Sequence, residues 1–82
     1  MKGTWWTYKT VEEKARTMVL MTSEPYKDND GVEIINTLHY SVSSLGIRTM
    51  KDIEVLQYIT SSSKFRQSTV KDMCDFIVRI FQ

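Results

Sequence analysis

The sequence has few of the residues that build chemical sites. In 82 residues it contains one cysteine, Cys74, and one histidine, His39. A lone cysteine cannot form an internal disulfide, and small secreted domains usually need several. We therefore expect a cytoplasmic protein. One cysteine and one histidine also cannot close a zinc site unless several carboxylates complete it, so we expect no metal and no other cofactor.

Glycine and proline are scarce as well, with three glycines and one proline. The glycines are isolated from one another, which excludes a glycine-rich loop that cradles phosphate. Residues 28–31 are similar to the core of a calcium loop, but Tyr26 and Thr37 stand where that loop needs acidic ligands. We interpret the segment as a turn with Asp30 as a helix cap.

Long apolar runs and an excess of one charge are also missing. The longest apolar run extends from Met18 to Met21, far below the roughly 20 residues that span a bilayer. We expect no secretory leader, because no basic segment followed by an apolar run and a small-residue cleavage site is found among the first residues. Eleven basic and ten acidic residues give a net charge of +1, which provides no general attraction to nucleic acid or anionic lipid. We expect a soluble protein with no membrane partner.

Catalysis has little support in the sequence. A nucleophile needs a neighbouring base, and the only such pairing is a dyad of Cys74 and His39. Cys74 falls on the apolar face of a predicted helix, where a buried thiol is normally inert. We therefore predict that the protein is not an enzyme.

A repeated signal for the start of a helix is what the sequence does contain. Four segments place a small polar residue three positions before a carboxylate, ahead of helix-spaced apolar residues. These segments begin at Thr10, Asp30, Thr49 and Thr69. Pro25 and Gly46 supply signals for helix ends. Together the signals predict helices at about 10–22, 31–45, 50–61 and 69–81.

A chain of this length closes one hydrophobic core, which predicts a single domain over residues 1–82. The predicted fold is all-α, a small four-helix bundle in which residues 1–9 form an extended aromatic N-terminal arm. The alternative is a small α+β domain, because residues 4–8, 16–22 and 32–42 are rich in β-branched and aromatic side chains.

Surplus apolar surface is the main functional indication. Four short helices cannot cover every apolar side chain, and exposed aromatic and methionine residues favour protein interfaces. The predicted protein-binding residues are Trp5, Trp6, Leu20, Met21, Phe76 and Ile80. The leading hypothesis is a regulator, inhibitor or adaptor, such as an accessory protein of a virus, that binds a protein partner. The aromatic arm either covers the core or contacts the partner, and both arrangements are compatible with a homodimer.

The alternative hypothesis is a DNA-binding regulator of the helix-turn-helix type. Its nucleic-acid-binding residues would lie at the start of the last helix, where such proteins meet bases and phosphates. They are Lys64, Arg66, Gln67, Thr69 and Lys71. Only three of these are basic, and Asp72 and Asp75 follow closely, so phosphate neutralisation would be modest. Nucleic acid is therefore the less favoured partner.

Overall fold

The computed structural model describes residues 1–8, 17–43 and 45–81. Strands hold 49% of these residues and helices 22%. The strands are β1 (Trp5–Tyr8), β2 (Thr17–Met21), β3 (Tyr26–Lys27), β4 (Glu33–Ser43), β5 (Gly46–Val55) and β6 (Phe65–Gln67). The helices are α1 (Leu56–Thr60) and α2 (Val70–Ile80). The prediction of an all-α four-helix bundle is wrong.

The strands form one curled antiparallel sheet, a half-barrel. From one edge to the other, β5 pairs with β4, β4 with β2, β2 with β1, and β1 with β6. Since β5 occupies one side of β4 along its whole length, β2 and β3 share the other side. Pro25, which has no N–H to donate to a ladder, lies between β2 and β3.

The concave face of the sheet holds the core. The core cluster consists of five buried residues: Val19, Met21, Ile35, Leu56 and Ile59. Trp6 and Phe65 pack against it. Trp6 lies opposite Val19 in the strand register, which places both side chains on the same face. Burying each aliphatic side chain stabilises the fold by roughly 1.5–3 kcal/mol, and α1 provides two of the five.

The opposite face is partly covered by α2. Thr7 and Met18 lie opposite each other in the register and are both buried on this face. Arg66 lies opposite Thr7, so it occupies the same face, and its guanidinium binds Asp72 of α2. Because α2 also lies beside β4, the helix packs across this side of the sheet and buries its Phe76 there.

Three of the four predicted helices are replaced wholly or partly by strands. Residues 17–21 of the first are β2, and its start at Thr10 lies outside the described residues. The second is β4, and the first half of the third is β5, with Leu56–Thr60 helical. The β-branched residues of β4 and β5 and the ten-residue pairing between the two strands favour strands over the helical spacing.

The prediction of an extended N-terminal arm is also wrong. Residues 5–8 form β1, which lies inside the sheet between β2 and β6. Their aromatic and threonine side chains suit a strand that is covered on both edges.

The Asp28 segment is a turn, as predicted, but it caps no helix. Its Oδ1 accepts hydrogen bonds from the backbone N–H groups of Asp30 and Val32.

The predicted capping of the fourth helix by Thr69 and Asp72 is confirmed. The hydroxyl of Thr69 accepts a hydrogen bond from the N–H of Asp72, and the Asp72 carboxylate accepts one from the N–H of Thr69. This reciprocal capping box begins α2, which occupies Val70–Ile80 where the sequence predicted a helix over 69–81. Within the described ranges, no helix is long and apolar enough to cross a membrane.

Candidate functional site

Strand β5 has one open edge. It pairs with β4 over its full ten residues and with no other strand of the described chain. All its residues except Glu54 are exposed. An open edge presents unpaired backbone N–H and C=O groups, to which another strand can be added. The edge of β5 is therefore a surface that can bind an extended polypeptide.

Four apolar side chains are exposed along this strand. Ile47, Met50, Ile53 and Val55 each leave between 43% and 60% of their surface accessible. Alternation along a strand places Met50 on the concave face and the other three on the opposite face. Soluble proteins usually protect such an edge with a short strand, a proline, charged side chains or a covering element. In the part of the chain that the structure describes, β5 is long and has no proline and no covering strand, and charged side chains are its one protection.

The charges of β5 are divided along its length. Arg48 and Lys51 precede Asp52 and Glu54, so one half of the strand is basic and the other acidic. Arg48, Asp52 and Glu54 share the concave face with Met50, whereas Lys51 lies on the opposite face. This polarity complements a strand that runs in the opposite direction with the same order of charges.

A second feature of β5 is a cluster of three ionisable side chains, formed by His39, Asp52 and Glu54. The register pairs Thr37 with Asp52 and Ile35 with Glu54, which places these residues and His39 on one face. Nε2 of His39 lies 3.0 Å from Oε1 of Glu54. One nitrogen or oxygen atom from each of the three side chains lies within 4.8 Å of the others. We call this group the His39 cluster.

The His39 cluster is incompletely satisfied. Nε2 of His39 and Oε2 of Glu54 are buried and have no hydrogen-bond partner among the described residues. Burial raises the pKa of Glu54 above its ordinary value, the nearby His39 acts to lower it, and the carboxylate of Asp52 adds to the rise. The cluster is thus a place where carboxylate charge is poorly compensated.

The predicted protein-binding residues are spread over several environments. Met21 is fully buried in the core, and Phe76 is buried on the side of α2 that faces the sheet. Trp5, Trp6, Leu20 and Ile80 are half-buried. The ring of Trp5 lies 5.6 Å from that of Tyr40, and the indole of Trp6 packs on the core cluster. The structure does not bring the six residues together into one exposed patch.

The outer face of α2 carries several apolar side chains. Val70, Ile77 and Phe81 are largely exposed, while Phe76 is turned inward. The sequence predicted that the apolar face of this helix, which includes Cys74, is buried. Cys74, expected to be buried there, is exposed. His39 lies on the opposite side of the sheet, so the two residues do not form a dyad.

The predicted nucleic-acid-binding residues do not sit on a helix-turn-helix. Residues 52–73 include the end of β5, the short α1, all of β6 and the start of α2. Arg66 and Gln67 belong to β6, Thr69 caps α2, and Lys64 and Lys71 are exposed on either side. Since the guanidinium of Arg66 binds Asp72, the segment does not present a groove-reading helix.

The β5 edge and the His39 cluster were not found from the sequence. The alternation of charged and apolar residues over 46–55 was the available signal for β5. His39 and Glu54 are 15 positions apart and meet only through the β4–β5 register. No protein-family model, no curated protein and no solved structure matches this chain.

Proposed function

We propose that this chain is a small protein-interaction module that pairs its β5 edge with the β5 edge of a second copy, so that two half-barrels share one sheet. The observation that carries this proposal is the long open edge of β5 with its four exposed apolar side chains. Burying these side chains and pairing the backbone groups both favour association. In this proposal the protein partner expected from the sequence binds at the edge of β5.

A second copy fits this edge in one particular register. Around a twofold axis that passes beside Met50, each Met50 lies opposite its symmetry mate. Arg48 then lies opposite Asp52 of the other copy, and Ile47 lies opposite Ile53. Every cross-strand pair of this kind, whether apolar or of opposite charge, contributes roughly 0.2–1 kcal/mol relative to a pair of alanines. The twofold repeats each of these last two pairs.

Neighbouring registers are less favourable. If the axis passes beside Lys51, Arg48 faces Glu54 and Ile47 faces Val55, but two ammonium groups also face each other at the centre, which is destabilising. If it passes beside Thr49, Arg48 faces Met50 and Asp52 faces Gly46, so both charges lose their partners. A shift by a single residue would place paired side chains on opposite faces of the sheet. Charge complementarity therefore selects the register centred on Met50.

The test is the oligomeric state of the full chain. Light scattering coupled to size exclusion should give twice the chain mass of 9.6 kDa at high protein concentration. Met50→Lys and Ile53→Lys should each shift the protein to the monomer, because each replaces an exposed apolar side chain of the proposed interface with a charge. Val78→Lys is the matched control, since Val78 is similarly exposed but lies on α2.

Circular dichroism establishes whether each variant remains folded. A wild-type protein that stays monomeric over the whole concentration range would overturn the proposal. A dimer that survives both β5 substitutions and dissociates with Val78→Lys would also overturn it, since the association would then use α2. Loss of the dimer in the two β5 variants alone supports pairing through β5.

A further inference from the structure

The His39 cluster has the composition and convergence of a metal site. Asp52 and Glu54 are two positions apart on β5, so their side chains share a face, and His39 reaches them from β4. Metal–ligand distances of about 2.0–2.2 Å place ligand atoms of a tetrahedral site roughly 3.3–3.6 Å apart. The separation of 3.0 Å between His39 and Glu54 is close to that value, and the remaining atoms lie within 4.8 Å.

Two unpartnered atoms provide independent support. Nε2 of His39 and Oε2 of Glu54 each expose less than 1 Å² and make no hydrogen bond with any described residue. Buried polar atoms in folded proteins nearly always have a partner. Nε2 lies 3.0 Å from the other oxygen of Glu54, so the contact that it does make is with a second proposed ligand. A cation bound between the two side chains would satisfy both atoms.

Electrostatics favours the same occupant. Two carboxylates of the cluster lie on one face, and one of them, Glu54, is only 17% exposed. Because its side chain is buried, the negative charge of Glu54 is poorly solvated there. A positive ion would compensate this charge. Burial of the Glu54 carboxylate is unfavourable when no ion is bound. Relief of this unfavourable term would add to the binding free energy of an ion.

The donor set indicates the class of ion. We infer that His39, Asp52 and Glu54 bind one divalent transition-metal ion per chain, and that Zn²⁺ suits them better than Mg²⁺. An imidazole nitrogen favours Zn²⁺ and similar ions, whereas Mg²⁺ prefers oxygen ligands in octahedral geometry. Three protein ligands leave one position of a tetrahedral ion for water.

The experiment is a calorimetric titration of the full chain with Zn²⁺ after treatment with a chelator and removal of any affinity tag. The protein should carry Cys74→Ser, because the exposed thiol of Cys74 is another ligand for zinc. One Zn²⁺ should bind per chain. His39→Asn and Glu54→Gln should each weaken binding about tenfold or more, since even partners of metal ligands contribute 10- to 100-fold.

Glu33→Gln is the matched control, because Glu33 is an exposed carboxylate at the start of β4, away from the cluster. Its zinc affinity should equal that of the parent, and Mg²⁺ should bind the parent more weakly than Zn²⁺. The proposal is overturned if Zn²⁺ does not bind. It is equally overturned if His39→Asn and Glu54→Gln bind Zn²⁺ as tightly as the parent.

A second measurement does not depend on the folding of any variant. His39 is the only histidine in the sequence, so its imidazole signals in an NMR spectrum are unambiguous. They should shift as one equivalent of Zn²⁺ is added, and an unchanged imidazole would overturn the proposal. The test is separable from that of β5 pairing, because Zn²⁺ should bind Ile53→Lys, a proposed monomeric variant whose substitution lies on the face of β5 opposite the His39 cluster, with the same stoichiometry.

Discussion

Arg66 of β6 and Asp72 of α2 form a two-point contact across the second face of the sheet. Nε of Arg66 donates to Oδ2 of Asp72 at 3.3 Å, and Nη2 donates to Oδ1. The same carboxylate accepts the N–H of Thr69 at 2.9 Å. Asp72 is therefore both the cap of α2 and its attachment to an outer strand, although it is almost fully buried.

Asp72→Asn should lower the free energy of unfolding at pH 7 by about 1.5–3 kcal/mol, the usual contribution of hydrogen bonds to a charged group. Burial pushes the pKa of Asp72 upward, but the bonds from Arg66 and Thr69 outweigh burial and hold the pKa below its ordinary value. A lowered pKa stabilises the fold above the ordinary aspartate value, and that contribution is lost as the pH falls through the lowered one.

Urea unfolding of wild type and Asp72→Asn at a series of pH values checks this prediction. The difference in the free energy of unfolding between wild type and Asp72→Asn should be largest at neutral pH and should shrink below about pH 4. Asp75→Asn is the control, because Asp75 is an exposed acid on the same helix and should change little. An equal difference at pH 7 and pH 2.5 would contradict the assignment.

Glu54→Gln should have the opposite behaviour. The pKa of Glu54 is raised by burial, with His39 and Asp52 as its charged neighbours, so its contribution to stability is lost as the pH rises through the raised value. Glutamine retains the shape of the protonated acid. In a buffer with chelator, Glu54→Gln should be at least as stable as wild type at pH 8, and this advantage should decrease toward pH 4.

Thermal unfolding at pH 4 and pH 8 measures that difference. Glu33→Gln serves again as the exposed control and should show no comparable dependence on pH. If Glu54→Gln is clearly less stable than wild type at pH 8, the ion pair with His39 outweighs the burial of the carboxylate. The expected direction would then be wrong.

The sequence predicted α2 well because its start is encoded locally. Thr69 and Asp72 are three positions apart, and each satisfies the backbone of the other without help from distant residues. The same spacing at Thr49 and Asp52 lies inside β5, where pairing with β4 takes the backbone groups. A capping box therefore indicates a helix only where no partner strand competes, and strand pairing is not visible in local spacing.

Strand β4 illustrates the other limit. Ile35, Leu38 and Val42 follow helical spacing, and the sequence was interpreted accordingly. In the sheet, Ile35 lies on the concave face, while Leu38 and Val42 lie on the opposite face. A strand with apolar residues on both faces has no clean alternation. The His39 cluster was invisible for a related reason, because the register that assembles it is non-local.

Charge reversal should test the register of the proposed dimer. Arg48→Asp and Asp52→Arg should each weaken the dimer about tenfold, since each replaces two opposite-charge pairs by like-charge pairs. The double variant should recover much of the affinity, because it restores the pairs with their signs exchanged. Sedimentation equilibrium in a buffer with chelator gives the dissociation constants. A double variant no tighter than either single variant would exclude contact between these positions.

Cysteine cross-linking should place Met50 on the twofold axis. In a Cys74→Ser background, Met50→Cys should form a covalent dimer under mild oxidation, because directly opposite residues of antiparallel strands have Cα atoms about 4.5–5.5 Å apart, within disulfide range. Thr49→Cys and Lys51→Cys should link slowly, since each lies opposite a different residue. Val78→Cys on α2 is the control for random collision. Non-reducing electrophoresis measures the rates, and faster linking at position 49, 51 or 78 than at position 50 would reject the register.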